Sequence, residues 1–248
     1  MKLAALTRYT YIFIFFDIAL LAAAIFTLLI VLRWKHLLHS APLPNRHLIT
    51  RLTLSTNFVH AGHIFSIATF IAFIISLWPL LTRPTRDNAA TRPVAIHMLF
   101  ILFVFLLTMG AATTIWFTTL RIRSLFTPVW IEQPLNIKLY LQDSLQCCGW
   151  FNATAAGLFE PELRTGFCSD PETIPKDPDP NVSIGCVGPF TNKADDLFNN
   201  TFTTLYGFTI LELGLFLTAA CIANLRIQKK RFLRIDYKLI TGGKGGFV

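Results

Sequence analysis

The sequence predicts an all-α integral membrane protein with four transmembrane helices, a small and a large extracellular loop, and a disulfide-bonded, mostly helical and irregular domain in the large loop. Three observations support this prediction. Of the 248 residues, 53% are hydrophobic and only 15% are charged, with a mean hydropathy of +0.53, which is unlike a soluble domain. Four apolar stretches are each long enough to cross a hydrocarbon core of about 30 Å, which takes about 20 helical residues. Four of the five cysteines fall between the third and fourth stretches.

The chain divides into spans and connecting segments. The predicted spans are residues 9–32, 58–81, 94–120 and 204–225. The connecting segments are a cytoplasmic N-terminus at 1–8, a small extracellular loop at 33–57, a cytoplasmic loop at 82–93, a large extracellular loop at 121–203 and a basic cytoplasmic tail at 226–248. A cleavable signal peptide is the alternative reading of the first span. A retained helix is favoured by the length of the first span, by its charged residues Arg8 and Asp17, and by the basic residues that flank it.

The distribution of basic residues predicts the orientation. Twelve of the 22 Lys and Arg residues lie in the N-terminus, the cytoplasmic loop and the tail. Because positive charge resists translocation, both termini are predicted to be cytoplasmic. The small extracellular loop is more basic than this orientation favours, but the tail outweighs it. The tail is expected to face anionic lipid of the cytoplasmic leaflet, and nucleic acid is not an expected partner.

The large loop contains an even set of cysteines, Cys147, Cys148, Cys168 and Cys186. An even set on the predicted extracellular side indicates a disulfide framework. A bond between the neighbours Cys147 and Cys148 would be strained, which leaves two pairings open. Because a domain of about 80 residues buries little core, cross-links worth roughly 2 to 4 kcal/mol each would matter to its stability.

The start of the large loop has a helical pattern. Apolar residues at Leu135, Leu139 and Leu145 predict an amphipathic helix that follows breaks at Pro128 and Pro134.

The loop also contains N-x-Ser/Thr sequons, which agree with an extracellular position. Asn152 and Asn181 are the predicted glycosylation sites, whereas Asn199 lies too close to the fourth span.

Several residues of the loop form one pattern. They are the Cys147-Cys148-Gly149 motif, Gln142 five positions before Cys147, and the later pair Gly185-Cys186, all between the third and fourth spans. In this placement the chain resembles the tetraspanins. The resemblance implies the bonds Cys147–Cys186 and Cys148–Cys168, with a turn that Gly149 permits.

The sequence departs from the tetraspanin pattern at three places. Gly166-Phe167-Cys168 stands where Pro-x-Ser-Cys is common, the cytoplasmic loop is longer than usual, and the Gly-Cys-rich signature near the end of the second span is missing. The chain therefore resembles a divergent member of the family.

The resemblance implies a scaffold that associates laterally with other integral membrane proteins, with itself and with membrane lipids, in the plasma membrane and in endosomal or vacuolar membranes. We expect partner recognition in the loop, where Trp150, Phe151, Phe159 and Phe167 place apolar surface on a small domain. The sequence contains no recognisable nucleophile–base pair, phosphate loop or metal cluster, so neither an enzyme nor a cofactor or metal is predicted.

Two acidic residues, Asp17 and Glu212, lie within the first and fourth spans. An ionisable side chain inside a membrane is costly enough to require a reason. The resemblance implies that both border a cavity between the helices that accepts a sterol or another lipid. Two alternatives remain open: hydrogen bonds that only fix helix packing, and a small transporter or lipid carrier that uses both acids.

Small residues in the second and third spans are expected at helix contacts. They are Gly62, Ser66, Thr69 and Ser76 in the second span and Gly110, Ala111 and Thr114 in the third. His60 and His63 share a helix face at the outer end of the second span, and a packing role is preferred to a metal or pH-sensing site.

Two features belong to the cytoplasmic end. Cys221, near the inner end of the fourth span, is a candidate for palmitoylation, with apolar packing as the alternative. The tail segment from Tyr237 to Ile240 matches the tyrosine-x-x-apolar pattern that clathrin adaptors bind as an extended peptide.

Overall fold

The computed structural model describes residues 2–39, 47–82, 91–151, 163, 165–169 and 185–242. Within these ranges the chain is helical and contains no β-strand. The helices are α1 (Lys2–His39), α2 (Leu48–Thr53), α3 (Thr56–Leu81), α4 (Thr91–Leu120), α5 (Ile122–Ile131), α6 (Leu135–Leu145) and α7 (Val187–Gly242). A short 3-10 turn covers Gly166–Cys168.

Helices α1, α3, α4 and α7 are long and apolar enough to cross a membrane. Their most apolar windows have mean hydropathies of 2.7, 2.3, 2.5 and 1.8, and only 28% to 33% of each window is buried within the protein. The apolar remainder faces outward, as it does in helices surrounded by lipid. The four predicted spans all lie within these helices, so the chain is a multi-pass membrane protein.

The chain forms two compact units. We call the first the membrane unit; it comprises Met1–Leu32, His60–Ala111 and Thr204–Val248. We call the second the loop unit; it comprises Arg33–Val59 and Ala112–Thr203.

In the membrane unit, two of the small residues of α3 that were predicted at helix contacts lie against α1. A Cβ added to Gly62 would lie 2.5 Å from a methyl carbon of Val31. One turn further along, Ser66 Oγ donates a hydrogen bond of 3.0 Å to the carbonyl oxygen of Ala24. The prediction is wrong at Gly110 of α4, which is exposed and has no atom within 4 Å of an added Cβ. Gly110 faces outward and makes no close contact with another helix in the part of the chain that the structure describes.

In the loop unit, the two prolines behave differently. Pro134 immediately precedes α6, as predicted, but Pro128 lies inside α5 and does not break it. Pro128 lacks the N–H that would bond to the carbonyl of Ser124. Both residues are exposed, so water can satisfy that carbonyl and the helix continues.

The predicted amphipathic helix corresponds to α6, but its inner face differs from the prediction. The predicted face of Leu135, Leu139 and Leu145 is only half-buried. The fully buried side chains are Ile137, Lys138, Leu141 and Gln142.

The core of the loop unit is aromatic and centred on Trp150, which is 0% exposed. Its ring stacks on Trp130 at a centroid distance of 5.3 Å and meets Phe190 edge-on at 5.8 Å. Its indole nitrogen donates to Thr127 Oγ1 at 3.0 Å, so the one polar atom of the ring is also satisfied.

Candidate functional site

Two disulfide bonds meet at one point of the loop unit. Cys147 is bonded to Cys186 and Cys148 to Cys168, with Cα–Cα distances of 5.0 Å and 5.8 Å. The first bond joins the end of α6 to the start of α7, and the second joins it to the 3-10 turn. These are the two bonds that the tetraspanin resemblance implies.

Backbone contacts reinforce this junction. The N–H of Cys186 donates to the carbonyl of Gly149, and the N–H of Val187 donates to the carbonyl of Trp150, both at 2.9 Å. Gly149 has a φ of 65°, in the left-handed region that glycine adopts without strain. At Gly185 an added Cβ would overlap the carbonyl groups of Trp150 and Phe151, so the two segments approach too closely for any other residue.

Gln142 links α6 to the same junction. It is fully buried, and its backbone carbonyl accepts a hydrogen bond of 3.2 Å from the N–H of Cys147. In the amide orientation that satisfies both ends of the side chain, Oε1 accepts from the N–H of Gly149 at 2.7 Å and Nε2 donates to the carbonyl of Leu163 at 3.3 Å. The side chain therefore holds the turn after the adjacent cysteines.

The expected partner-binding residues do not share one environment. Trp150 is a core residue, so its prediction as partner-binding surface is wrong. Phe151 is 44% exposed. Phe167 is half-buried, and its backbone N–H donates to Asp143 Oδ1 at 2.8 Å. Phe159 lies outside the described residues. Phe151 is thus the predicted residue that presents apolar surface beside the junction.

The predicted glycosylation sites, Asn152 and Asn181, also lie outside the described residues. Asn199 is exposed on α7.

In the membrane unit, each buried acid forms a hydrogen bond with a hydroxyl group on a neighbouring helix. Asp17 is 2% exposed and Glu212 is 0% exposed. Ser76 Oγ of α3 donates to Asp17 Oδ2 of α1 at 2.6 Å, and Thr108 Oγ1 of α4 donates to Glu212 Oε1 of α7 at 2.9 Å. Within the described part of the chain, the second oxygen of each carboxyl group has no hydrogen-bond partner.

Each of these hydroxyl groups has a second acceptor in its own helix. Ser76 Oγ lies 2.6 Å from the carbonyl oxygen of Phe73, and Thr108 Oγ1 lies 2.9 Å from that of Val104. A hydroxyl group has one proton to donate. The single proton of each hydroxyl group is therefore shared between the carboxyl oxygen and the carbonyl oxygen of its own helix.

The helices that carry the acids also approach each other. A Cβ added to Gly214 of α7 would lie 2.7 Å from Cε1 of Phe16 of α1. Phe16 precedes Asp17 directly, and Gly214 follows Glu212 by two positions, so the close contact is beside both acids.

Another buried ionisable residue, His97, was missed by the sequence reasoning. It lies in α4, is 0% exposed, and its ring meets Phe13 edge-on at 5.4 Å. Among the described residues neither ring nitrogen has a hydrogen-bond partner. The criterion that singled out Asp17, an ionisable side chain inside a predicted span, would have found it.

His60 and His63 do not lie in a common environment on α3. His60 is exposed and His63 is half-buried on α3. In the part of the chain that the structure describes, no three His, Cys, Asp or Glu side chains cluster as metal ligands would.

At the C-terminal end of α3, Arg226 of α7 donates a hydrogen bond of 2.8 Å to the carbonyl of Pro79, which lies in the last turn of α3.

Cys221 is a free, half-buried cysteine of α7. Tyr237 and Ile240 are exposed, but both lie within α7. An adaptor that binds an extended peptide would therefore require the last turns of α7 to unwind.

The comparisons with known proteins do not identify a family: no family model, no curated protein and no solved structure matches the chain.

Proposed function

We propose that this protein is a tetraspanin-like scaffold that gathers partner membrane proteins and lipids laterally in a membrane. The observation that carries the proposal is the doubly cross-linked junction of the loop unit, in a chain with four helices able to span a membrane. The two bonds connect the adjacent cysteines to two distant segments, the 3-10 turn and the start of α7. This arrangement is the one that the resemblance to the tetraspanins implies.

The proposed topology places the loop unit outside the cell and both termini in the cytoplasm. Disulfides persist in oxidising compartments, which favours the extracellular side for the junction. The basic tail favours the cytoplasmic side for the C-terminus. The plasma membrane and endosomal or vacuolar membranes are the proposed locations.

The proposed partner surface includes Phe151, next to the junction. Replacing Phe151 with asparagine should reduce recovery of co-purifying membrane proteins by more than about tenfold if the residue is a binding hot spot. Ile131→Asn is the matched control, because Ile131 is an exposed apolar residue of the same unit, 54% exposed against 44% for Phe151.

Quantitative mass spectrometry of cross-linked, affinity-purified complexes measures the recovery, and surface biotinylation confirms that each variant is exported. If both variants recover the same partners in the same amounts as the wild type, Phe151 is not part of the partner surface.

The lipid part of the proposal concerns Asp17 and Glu212. Each carboxyl group uses one oxygen for a neighbouring helix, and the other oxygen can bond to a lipid hydroxyl group. We expect a photoreactive sterol to label the protein in nanodiscs, with labelling lost in Glu212→Leu and largely kept in Glu212→Gln, whose amide retains the polar group. Equal labelling of both variants, or equal labelling by a photoreactive fatty acid, would argue against sterol recognition.

A small transporter or lipid carrier is the second candidate, favoured by the unpartnered carboxyl oxygens within the described bundle and by the additional buried residue His97. Its test is uptake into proteoliposomes. Uptake that is lost in the double variant Asp17→Asn, Glu212→Gln would support a carrier, and no uptake by the wild type would exclude it for the ligands assayed.

A further inference from the structure

Helix α7 does not end where the fourth predicted span ends. It continues without interruption to Gly242, and no proline or glycine occurs between Gly214 and that residue. The bond from Arg226 to the carbonyl of Pro79 holds α7 against the last turn of α3. The residues beyond Arg226 extend the helix by about 24 Å. Because the preceding helix supplies the nucleus, this extension needs no nucleation of its own.

The extension exposes apolar side chains on more than one face: Tyr237 and Ile240 are 49% and 76% exposed. Three other apolar residues form a stripe with heptad spacing. Phe232, Ile235 and Leu239 are spaced by three and then four residues, which is the a, d, a spacing of a two-stranded coiled coil. Their side chains are 46%, 53% and 70% exposed. Large apolar side chains aligned on one exposed helix face are typical of an interaction surface.

Charged residues flank the stripe in a complementary way. Arg231 occupies the g position before Phe232, and Asp236 occupies the e position after Ile235. In a parallel coiled coil, a g residue of one helix faces the e residue five positions later in the other helix. Arg231 and Asp236 have this spacing, so a pair of identical helices forms the same ion pair twice by its two-fold symmetry.

We propose that residues 231–239 of α7 form a short parallel coiled coil with the same segment of a second copy of this chain. Two copies in one membrane have the same orientation, so their extensions are parallel by necessity. Confinement to the membrane raises their effective concentration, which compensates for the shortness of the stripe. This inference is independent of the proposed scaffold function.

The alternative partner for the exposed apolar residues of the extension is an anionic membrane surface. To lie on the membrane, α7 would have to bend sharply near Arg226. Sharp bends occur at proline, at glycine or serine pairs, or at bulges in the hydrogen-bond ladder. The described helix has none of these residues there, and the bond from Arg226 to Pro79 holds that turn against α3.

Cysteine cross-linking in membranes that contain the full-length protein tests the proposal. Ile235→Cys and Leu239→Cys are made in a Cys221→Ala background, and oxidation should convert each to a covalent dimer. Lys230→Cys, on the opposite face of the same helix, is the control and should form several times less dimer. Equal cross-linking at Lys230, or none at Ile235 and Leu239, would overturn the proposal.

Charge reversal tests the register and distinguishes the two occupants. Arg231→Asp and Asp236→Arg should each reduce the Ile235→Cys dimer by about two- to fivefold, and the two reversals together should restore it. A double reversal that fails to restore the dimer refutes the pairing. If neither single reversal changes the dimer, while Arg231→Asp lowers and Asp236→Arg raises attachment of the tail to vesicles that contain phosphatidylserine, the membrane surface is the occupant and the proposal is wrong.

Discussion

Replacing Gly185 with alanine tests the packing of the cross-linked junction. The new Cβ would overlap the carbonyl groups of Trp150 and Phe151, which are backbone atoms and cannot rotate away. The two segments would have to separate, which breaks the hydrogen bonds from Cys186 to Gly149 and from Val187 to Trp150.

Each lost hydrogen bond costs about 0.5 to 1.5 kcal/mol, so the pair costs about 1 to 3 kcal/mol. Alanine also restricts the unfolded chain, which offsets about 0.4 to 1 kcal/mol. The central values, about 2 and about 0.7 kcal/mol, leave a net loss of about 1.3 kcal/mol, which corresponds to a melting temperature about 5 °C lower for a domain of this size.

Tryptophan fluorescence of the detergent-purified protein measures this change, because Trp130 and Trp150 stack in the core of the loop unit. Gly207→Ala is the control, since an added Cβ at Gly207 has no atom within 4 Å and should not lower the melting temperature. A Gly185→Ala protein that melts within about 2 °C of the wild type, with both disulfides intact, would refute the close backbone contact.

The membrane unit provides two further predictions. Ser76→Ala should lower stability in mixed micelles by about 0.6 to 1.7 kcal/mol, because it removes the hydrogen bond to Asp17. Asp17→Asn keeps a polar side chain that can bond to Ser76 and should be closer to the wild type; the reverse order would contradict a stabilising contact between the two side chains. Gly62→Leu should lower the free energy of unfolding by about 1 to 3 kcal/mol, because the larger side chain pushes α1 away from α3. Adding Val31→Ala should restore part of this loss. An unchanged unfolding midpoint in Gly62→Leu would show that the helices do not touch there.

The predicted spans all fall within observed helices because hydropathy is a local property of a window of residues. The helix ends do not follow from it. The first span was predicted to end at residue 32 and the fourth at 225, yet α1 continues to His39 and α7 to Gly242. A helix continues until a breaker or a loss of bonding stops it, and apolar content reports only the part that can lie in lipid.

Trp150 shows where local reasoning fails. Its position after the adjacent cysteines suggested exposed apolar surface on a small domain. In the structure it is buried by Trp130 from α5 and Phe190 from α7, and its nitrogen bonds to Thr127, 23 residues away. The core of such a domain is assembled from distant segments, so which of its aromatic residues is central depends on tertiary contacts.

The two buried acids show the same limit of local reasoning. The sequence identified Asp17 and Glu212, but their partners Ser76 and Thr108 lie 59 and 104 residues away. A periodic pattern identifies the residues that share a helix face; it does not determine which neighbouring helix that face meets, or at which level.

The same two hydrogen bonds bear on whether the acids serve packing or ligand binding. Each acid ties its helix to one neighbour through a single oxygen, and each hydroxyl partner remains bonded to a carbonyl of its own helix. Among the described residues the other carboxyl oxygens are buried without partners, a state that costs about 1 to 3 kcal/mol for a polar group. Both oxygens are enclosed by the protein, so a ligand hydroxyl group could bond to them only after neighbouring side chains move. The packing role and the proposed lipid binding would use different oxygens of the same side chains, so the packing role does not exclude the proposal.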